Sequence, residues 1–201
     1  MKIRIISDLH GNYLRYIELV NDPNIFGSIQ LGDFGLKYLE FLSEIDYKKN
    51  LVILGNHDRW DLKDKYPHFI SKPEFYNLGD FNFFAIPGAY SIDSAYRTPG
   101  VDWFKEEEMT YQEGLECIEL FKSVKPQTVL SHDCPEEAFI RVCSNYISSV
   151  QSITRQIMSN CFYHHKPKNW IFGHHHTSKK FSIEDCWFTC LDQLEYIDLE
   201  I

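Results

Sequence analysis

The sequence predicts an α/β layered domain. Three observations predict it: short β-branched runs that end in Gly or Ser, helical stripes between those runs, and a β-rich C-terminal part without a helical stripe. Ile3-Arg4-Ile5-Ile6 is followed by Ser7 and Asp8, Ser28-Ile29-Gln30-Leu31 by Gly32 and Asp33, and Leu51-Val52-Ile53-Leu54 by Gly55 and Asn56. Thr128-Val129-Leu130 leads to Ser131 and His132, and Trp170-Ile171-Phe172 to Gly173 and His174. Short apolar runs bounded by turn residues read as buried strands. The small residue lets the backbone turn or approach a ligand closely, and the side chain after it is one that can bind a metal. Open α/β sheets build their sites just past the carboxyl ends of their strands.

The helices follow from capping and spacing. Asn12 is a candidate N-cap for a helix from about Tyr13, with Leu14, Ile17 and Val20 on one face. A second helix is predicted over Lys37 to Leu42. A third runs from Glu107 to Ser123, with Leu115, Ile118 and Leu120 or Phe121 as its stripe, and stops before Pro126. A fourth runs from Ser149 to Phe162, with Ile153, Ile157 and Met158 or Cys161, and ends before Pro167. Phe81 to Ile86 reads as a further strand, and Lys179 to Ile201 as two or three strands rich in aromatic and β-branched residues.

Length and charge bound the rest. At 201 residues the chain predicts one domain spanning 1–201, large enough to bury a core. Its formal net charge of −9 counts against a protein that coats nucleic acid, and no basic track for a long strand is evident. It does not exclude an anionic substrate, because divalent cations reverse the sign of a local site. The six cysteines include no CxxC pair and read as reduced thiols, mostly buried. No secretory signal is visible and no run approaches the ~20 apolar residues of a membrane span, so the expected compartment is the cytoplasm, with no membrane partner.

The chemistry lies after the strands. Asp8 and His10 are two apart, and in extended backbone such residues share a face; His174 and His176 repeat the spacing. Asp33, Asn56 and His132 bring the donors to seven, all oxygen or nitrogen and none a thiolate. That is too many for one tetrahedral zinc and fits two ions about 3.5–4 Å apart that share a carboxylate. Imidazole and carboxylate together suit Mn, Fe, Zn, Co or Ni rather than Ca. His175 should face the opposite side of its segment and stays outside the set, as do His68, His164 and His165.

Asp8-x-His10, Gly32-Asp33, Gly55-Asn56-His57-Asp58, His132 and Gly173-His174-x-His176, in that order, resemble the calcineurin-like metallophosphoesterase superfamily, in particular its small bacterial and phage-type members. The resemblance implies a four-layer α/β/β/α sandwich with two mixed sheets and the metals at one edge. It implies that Asp8, His10 and His176 hold one metal, that Asn56, His132 and His174 hold the other, and that Asp33 bridges them. It further implies two divalent cations, with Mn favoured, a metal-bridging hydroxide that attacks a phosphate mono- or diester, and His57 as general acid to the leaving group; Asp58 reads as structural. The chain departs from the protein Ser/Thr phosphatase pattern: Phe34-Gly35 follow Asp33 with no arginine in the phosphate-clamping position, and the third motif ends in Asp58 instead of Glu. The segment from Pro87 to Arg97, followed by Trp103, is similar to a loop that lies beside the metals in small members. It nominates Arg97 as the substrate-phosphate clamp, with Arg59 second. The expected partner is a phosphate ester, nucleotide-like among the options. The alternatives are a Ser/Thr-type protein phosphatase and a metal-binding interaction scaffold without catalysis, against which the retained His57 argues.

Overall fold

Parallel strands buried on both faces need near-continuous apolar sequence, and the runs identified above supply it. The structure, a computed structural model, describes residues 1–37, 39–143 and 151–200. Its first sheet contains β1 (Lys2–Ile6), β2 (Gly27–Gln30), β3 (Asn50–Ile53), β4 (Phe69–Ile70) and β11 (Tyr196–Glu200), in the order β11-β1-β2-β3-β4. Its second contains β5 (Glu74–Leu78), β6 (Phe81–Ile86), β7 (Thr128–Ser131), β8 (Asn169–Phe172), β9 (Lys179–Ile183) and β10 (Cys186–Cys190), in the order β5-β6-β7-β8-β10-β9. Both sheets are mixed. β1 to β4 are parallel with β11 antiparallel at the edge, and β6, β7, β8 and β10 are parallel with β5 and β9 antiparallel outside them.

The sheets pack on one another, and the period-2 alternation of β6 shows how. Phe81, Phe83 and Ala85 join Ile3, Ile5, Ile29, Leu31, Ile53, Leu130 and Ile171 between the sheets. Phe84 and Ile86 point the other way, to the helices α2 (Tyr111–Val124), α3 (Glu136–Val142) and α4 (Ile153–His164). There Phe121 meets Phe84 edge-on at 5.0 Å and Phe162 packs on Trp170 and Phe188. Each such side chain contributes about 1.5–3 kcal/mol by burial. On the outer face of the first sheet, α1 (Tyr13–Val20) covers Ile6 and Val52 together with Phe34 and Leu42. The result is the α/β/β/α stack, with two mixed sheets in the middle.

The helices depart from the sequence expectation in register more than in place. Asn12 caps α1, its side chain accepting from the Arg15 amide, but the buried face is Tyr16 and Leu19, and Leu14 is 79% exposed. Tyr16 packs edge-on to Phe34 at 4.9 Å, a long-range contact that outweighs the local aliphatic stripe. The second predicted helix is a 3₁₀ turn at Leu39–Glu44; Tyr38, within the predicted span, lies outside the described residues. α2 starts at Tyr111, where Thr110 and Glu113 form a reciprocal capping box, so Glu107 lies before it in a separate 3₁₀ turn. Its buried face is Gly114, Cys117 and Phe121, with Leu115 and Leu120 outside. α4 is capped by Ser152; the predicted start at Ser149 lies outside the described residues. α3, β4 and β5 were not expected, although Pro135 followed by Glu136 and Glu137 is a helix-start signal. The C-terminal part forms three strands. All six cysteines are free, and among the described residues no helix is long and apolar enough to cross a membrane.

Candidate metal centre

β1, β2, β3, β7 and β8 all end at one rim, and the residues that follow them meet there. The donors form two groups that share Asp33: Asp8, His10, Asp33 and His176 on one side, and Asp33, His132 and His174 on the other, with ligand atoms in each group within 4.8 Å of one another. Asp33 Oδ2 faces His10 Nε2 at 3.7 Å, and Oδ1 faces His132 Nε2 at 3.2 Å. Asn56 Oδ1 lies 3.0 Å from His132 Nε2, which adds it to the second group. In the first group His10 Nε2 and His176 Nε2 are 2.9 Å apart, and His176 Nε2 is 3.6 Å from Asp8 Oδ1. Two donors each about 2.0–2.2 Å from a common ion are separated by roughly 2.9–3.5 Å at the usual coordination angles, so these spacings are close to those of coordination. The residues present fit a pair of divalent cations.

The local backbone explains the small residue before each donor. A Cβ on Gly173 would collide with the Asp8 carboxylate, and one on Gly55 with Asp33 and His132. Contrary to the expectation from spacing, the i, i+2 pairs are not brought together through extended backbone. His10, His174 and His176 are left-handed, at φ 45°, 65° and 44°, as is Asp33 at 52°. Tight turns past the strand ends, not strand continuation, aim the rings inward. Left-handed non-glycine residues cost free energy that surrounding structure must offset, a cost common at functional sites.

Without cations the charges balance internally. Burial alone would drive His132 towards neutrality, but the Asp33 and Asp8 carboxylates outweigh it and hold the imidazolium up at about 10. Burial opposes ionisation of Asp33 as well, and His132 more than offsets it, leaving that carboxyl below its ordinary range. Burial takes His174 down to about 3, so it is a neutral imidazole with a free donor. If His132 held a metal ion, the ion would take the place of the proton on its Nε2, and uptake would release protons.

Of the remaining sequence candidates, His57 sits beside the cluster. Its amide donates to Asp33 Oδ1 at 2.8 Å, and its Nε2 lies 2.5 Å from Arg97 Nη2. Burial, with Arg97 and His10 adding to it and Asp33 opposing, lowers the His57 pKa. Arg97 is not a surface residue: its side chain is 7% exposed, paired with Asp93 at 2.8 Å and donating to the Asn56 carbonyl at 3.2 Å. Arg59 is turned to Asp61, with which it is bidentate at 2.7 and 2.6 Å. Asp58 accepts from the amides of Gly35 and Gly55 at 2.8 and 2.7 Å and so ties together the turns that carry Asp33 and Asn56. A cavity of about 400 Å³ opens beside the donors, lined by Asn56, His57, Tyr90, Asp93, Phe139 and Arg155 among others.

The loop from Pro87 to Trp103 also contributes through Ser91 and Trp103, to which the sequence assigned no role. Asn56 Nδ2 donates to Ser91 Oγ at 3.0 Å, which leaves the amide oxygen facing His132. Ser91 is held in turn: its amide donates to Glu107 Oε1 at 3.0 Å, and Trp103 Nε1 donates to the same oxygen at 3.1 Å. Glu107 is 3% exposed, its Oε2 has no partner, and burial raises its pKa from 4.5 to about 7. Between those values the folded chain binds more protons at Glu107 than the unfolded one. Its contribution is therefore complete below pH ~4.5 and lost as pH rises through about 7. Glu107→Gln is expected to stabilise the chelator-treated protein at pH 8 by about 1–3 kcal/mol and to change little at pH 5, as read by denaturant unfolding at the two pH values.

A family model described as calcineurin-like phosphoesterase matches residues 1–178 of the chain. No curated protein sequence matches it. Among solved structures the chain is similar to phosphopantetheinyl hydrolase from Mycobacterium tuberculosis, at 13% identity and a TM-score of 0.52, over 96% of this chain and 89% of that one. It is also similar to a Staphylococcus aureus protein proposed to be a 5'-nucleotidase, at 10% identity and a TM-score of 0.54, over 99% of this chain and 50% of that one. At such identities the likeness is one of fold. With the family model covering nearly the whole chain, and the shared Asp33 between two donor groups where the strands end, the chain belongs to the calcineurin-like phosphoesterase family.

Proposed function

We propose that this chain is a metal-dependent phosphoesterase that hydrolyses phosphate mono- or diesters of small alcohols, nucleotide-like ones included. The observation that carries the reading is Asp33, whose two oxygens face different donor groups, one with Asp8, His10 and His176 and the other with His132, His174 and Asn56. Bound there, a pair of divalent cations, with Mn favoured, supplies a water acidic enough to attack at neutral pH and positive charge for the phosphoryl oxygens.

The chain's own residues do the rest. Asp33 is fixed before substrate arrives, because Oδ1 already accepts the His57 amide. Asn56 is fixed by Ser91. Arg97 is held by Asp93 and the Asn56 carbonyl at the mouth of the centre, where its fork matches a non-bridging phosphoryl oxygen pair. In the free protein His57 Nε2 faces a guanidinium that can only donate, so it is unprotonated there. An arriving phosphate competes for the Arg97 guanidinium and adds negative charge beside the ring, so His57 takes up a proton from solvent water at Nε2 and passes it to the departing alkoxide. A protein phosphatase is disfavoured by the absence of an arginine after Asp33, and the −9 charge disfavours long nucleic acids.

Metal-stripped protein reconstituted with Mn²⁺ is expected to hold two ions per chain by elemental analysis. It should cleave aryl phosphate monoesters, diesters or nucleotides in a reaction that chelator stops and Mn²⁺ restores. Two ions with no hydrolysis across esters, nucleotides, phosphopeptides and single-stranded DNA would leave the scaffold reading; no ions would overturn the metal centre.

A further inference from the structure

His132 follows β7, and His174 and His176 follow β8, the neighbouring strand in the same sheet. Their turns are joined by a pair of residues outside the donor set. Asp133, next after His132, accepts through Oδ1 from His175 Nε2 at 3.0 Å, and His175 lies between His174 and His176. The carboxylate is fully buried and fully engaged: Oδ1 also accepts from the Cys134 amide at 2.8 Å, and Oδ2 from Arg155 Nη2 at 3.0 Å. The His175 ring lies 5.6 Å from that of Phe139 and 6.0 Å from that of Phe172, and its side chain is 6% exposed. On either side of it, His174 and His176 hold left-handed conformations that non-glycine residues keep only where the surroundings over-determine them.

Asp133, Cys134 and His175 could be taken for a third metal group, since their donor atoms also converge within 4.8 Å. The Arg155 guanidinium already occupies the charge of Asp133 and would repel a cation there. The geometry points to a different role. We propose that the Asp133–His175 bond, anchored on Arg155 of α4, is a positioning clamp for the metal centre: it fixes the two strand-end turns relative to each other so that His132, His174 and His176 converge. The proposal rests on the reading of those histidines as ligands. Removing the clamp leaves the ligands present but loosely placed, and partners that orient metal ligands typically contribute about 10–100-fold in metal affinity.

His175→Leu removes the bond while leaving Asp133 paired with Arg155 and placing an apolar side chain beside Phe139 and Phe172. In chelator this variant is expected to unfold at a temperature close to the parent's. Its Mn²⁺ affinity, measured by competition with a chelating dye, is expected to be at least tenfold weaker. His175→Gln, whose amide can still donate to Asp133, should recover most of that loss. A His175→Leu variant that binds Mn²⁺ within twofold of the parent overturns the clamp. Should the leucine variant not fold, His175→Gln is compared with His175→Asn, whose shorter amide cannot reach; equal affinities for that pair overturn it as well. A parent that takes up no ion sinks the ligand reading and the clamp together, whereas weak binding confined to the variants leaves the ligand reading standing.

Discussion

Asp33→Asn is expected to cost the protein at least one of its two ions and to lower turnover by three or more orders of magnitude. The reason is the division of labour within one carboxylate. Oδ2 points to His10 and Oδ1 to His132, so the substitution keeps one oxygen acceptor and turns an NH₂ group, which cannot ligate, towards the other half of the centre. It also removes the negative charge that would offset a pair of dications shared by the two halves. Losing a metal-centred stabilisation of several kcal/mol corresponds to about a thousandfold or more in rate. The thermal readout is independent of turnover. A free ion at about 100 times its Kd stabilises the native state by about 2.7 kcal/mol per site, so Mn²⁺ should raise the parent's unfolding temperature clearly and the variant's by less than half as much. An Asp33→Asn protein that keeps two ions and the full thermal shift would show that the carboxylate does not join the halves.

That the convergence of these donors was legible in the sequence follows from where sheets put the residues that follow their strands. Gly32, Gly55 and Gly173 are small because a Cβ at each would strike a donor carried by another strand, for Gly32 and Gly173 one of the opposite sheet, so the steric demand of the assembled rim is written locally before these donors. The strands were legible for a related reason: a segment buried on both faces, such as Val129 and Leu130, has no polar alternative. Helix faces were less legible. Leu14, Ile17 and Val20 form as good a local stripe as Tyr16 and Leu19, and only Phe34 and Phe41, from another part of the chain, decide between them. The supporting residues were hidden for the same reason. Asp133 and His175 meet across 42 positions, Ser91 and Asn56 across 35, and nothing next to Glu107 announces that it would leave the helix to hold Ser91. The left-handed turns at His10, His174 and His176 had no signal either, since glycine is the residue that normally marks them.

His57→Ala should lower kcat by two to four orders of magnitude, about the range expected of a general acid, while metal content stays at the parent's value. Metal content is preserved because the link from His57 to Asp33 is the backbone amide, which alanine retains. The informative quantity is how the loss depends on the leaving group. A phenolate with strong electron-withdrawing substituents departs without a proton, so with such esters the variant should lose little. An alkoxide departs only as its proton arrives, so alkyl and nucleoside esters should carry the full loss. Arg97→Ala gives the contrast. Its guanidinium lies 2.5 Å from His57 Nε2, yet in the proposed mechanism it would address the phosphoryl group and not the departing oxygen. Its removal should raise KM for every ester by a similar factor, whatever the leaving group, because the interaction lost is already made in the bound ground state. If His57→Ala slowed activated aryl esters and alkyl esters equally, the imidazole would be acting on the charge of the centre and not on the departing alcohol.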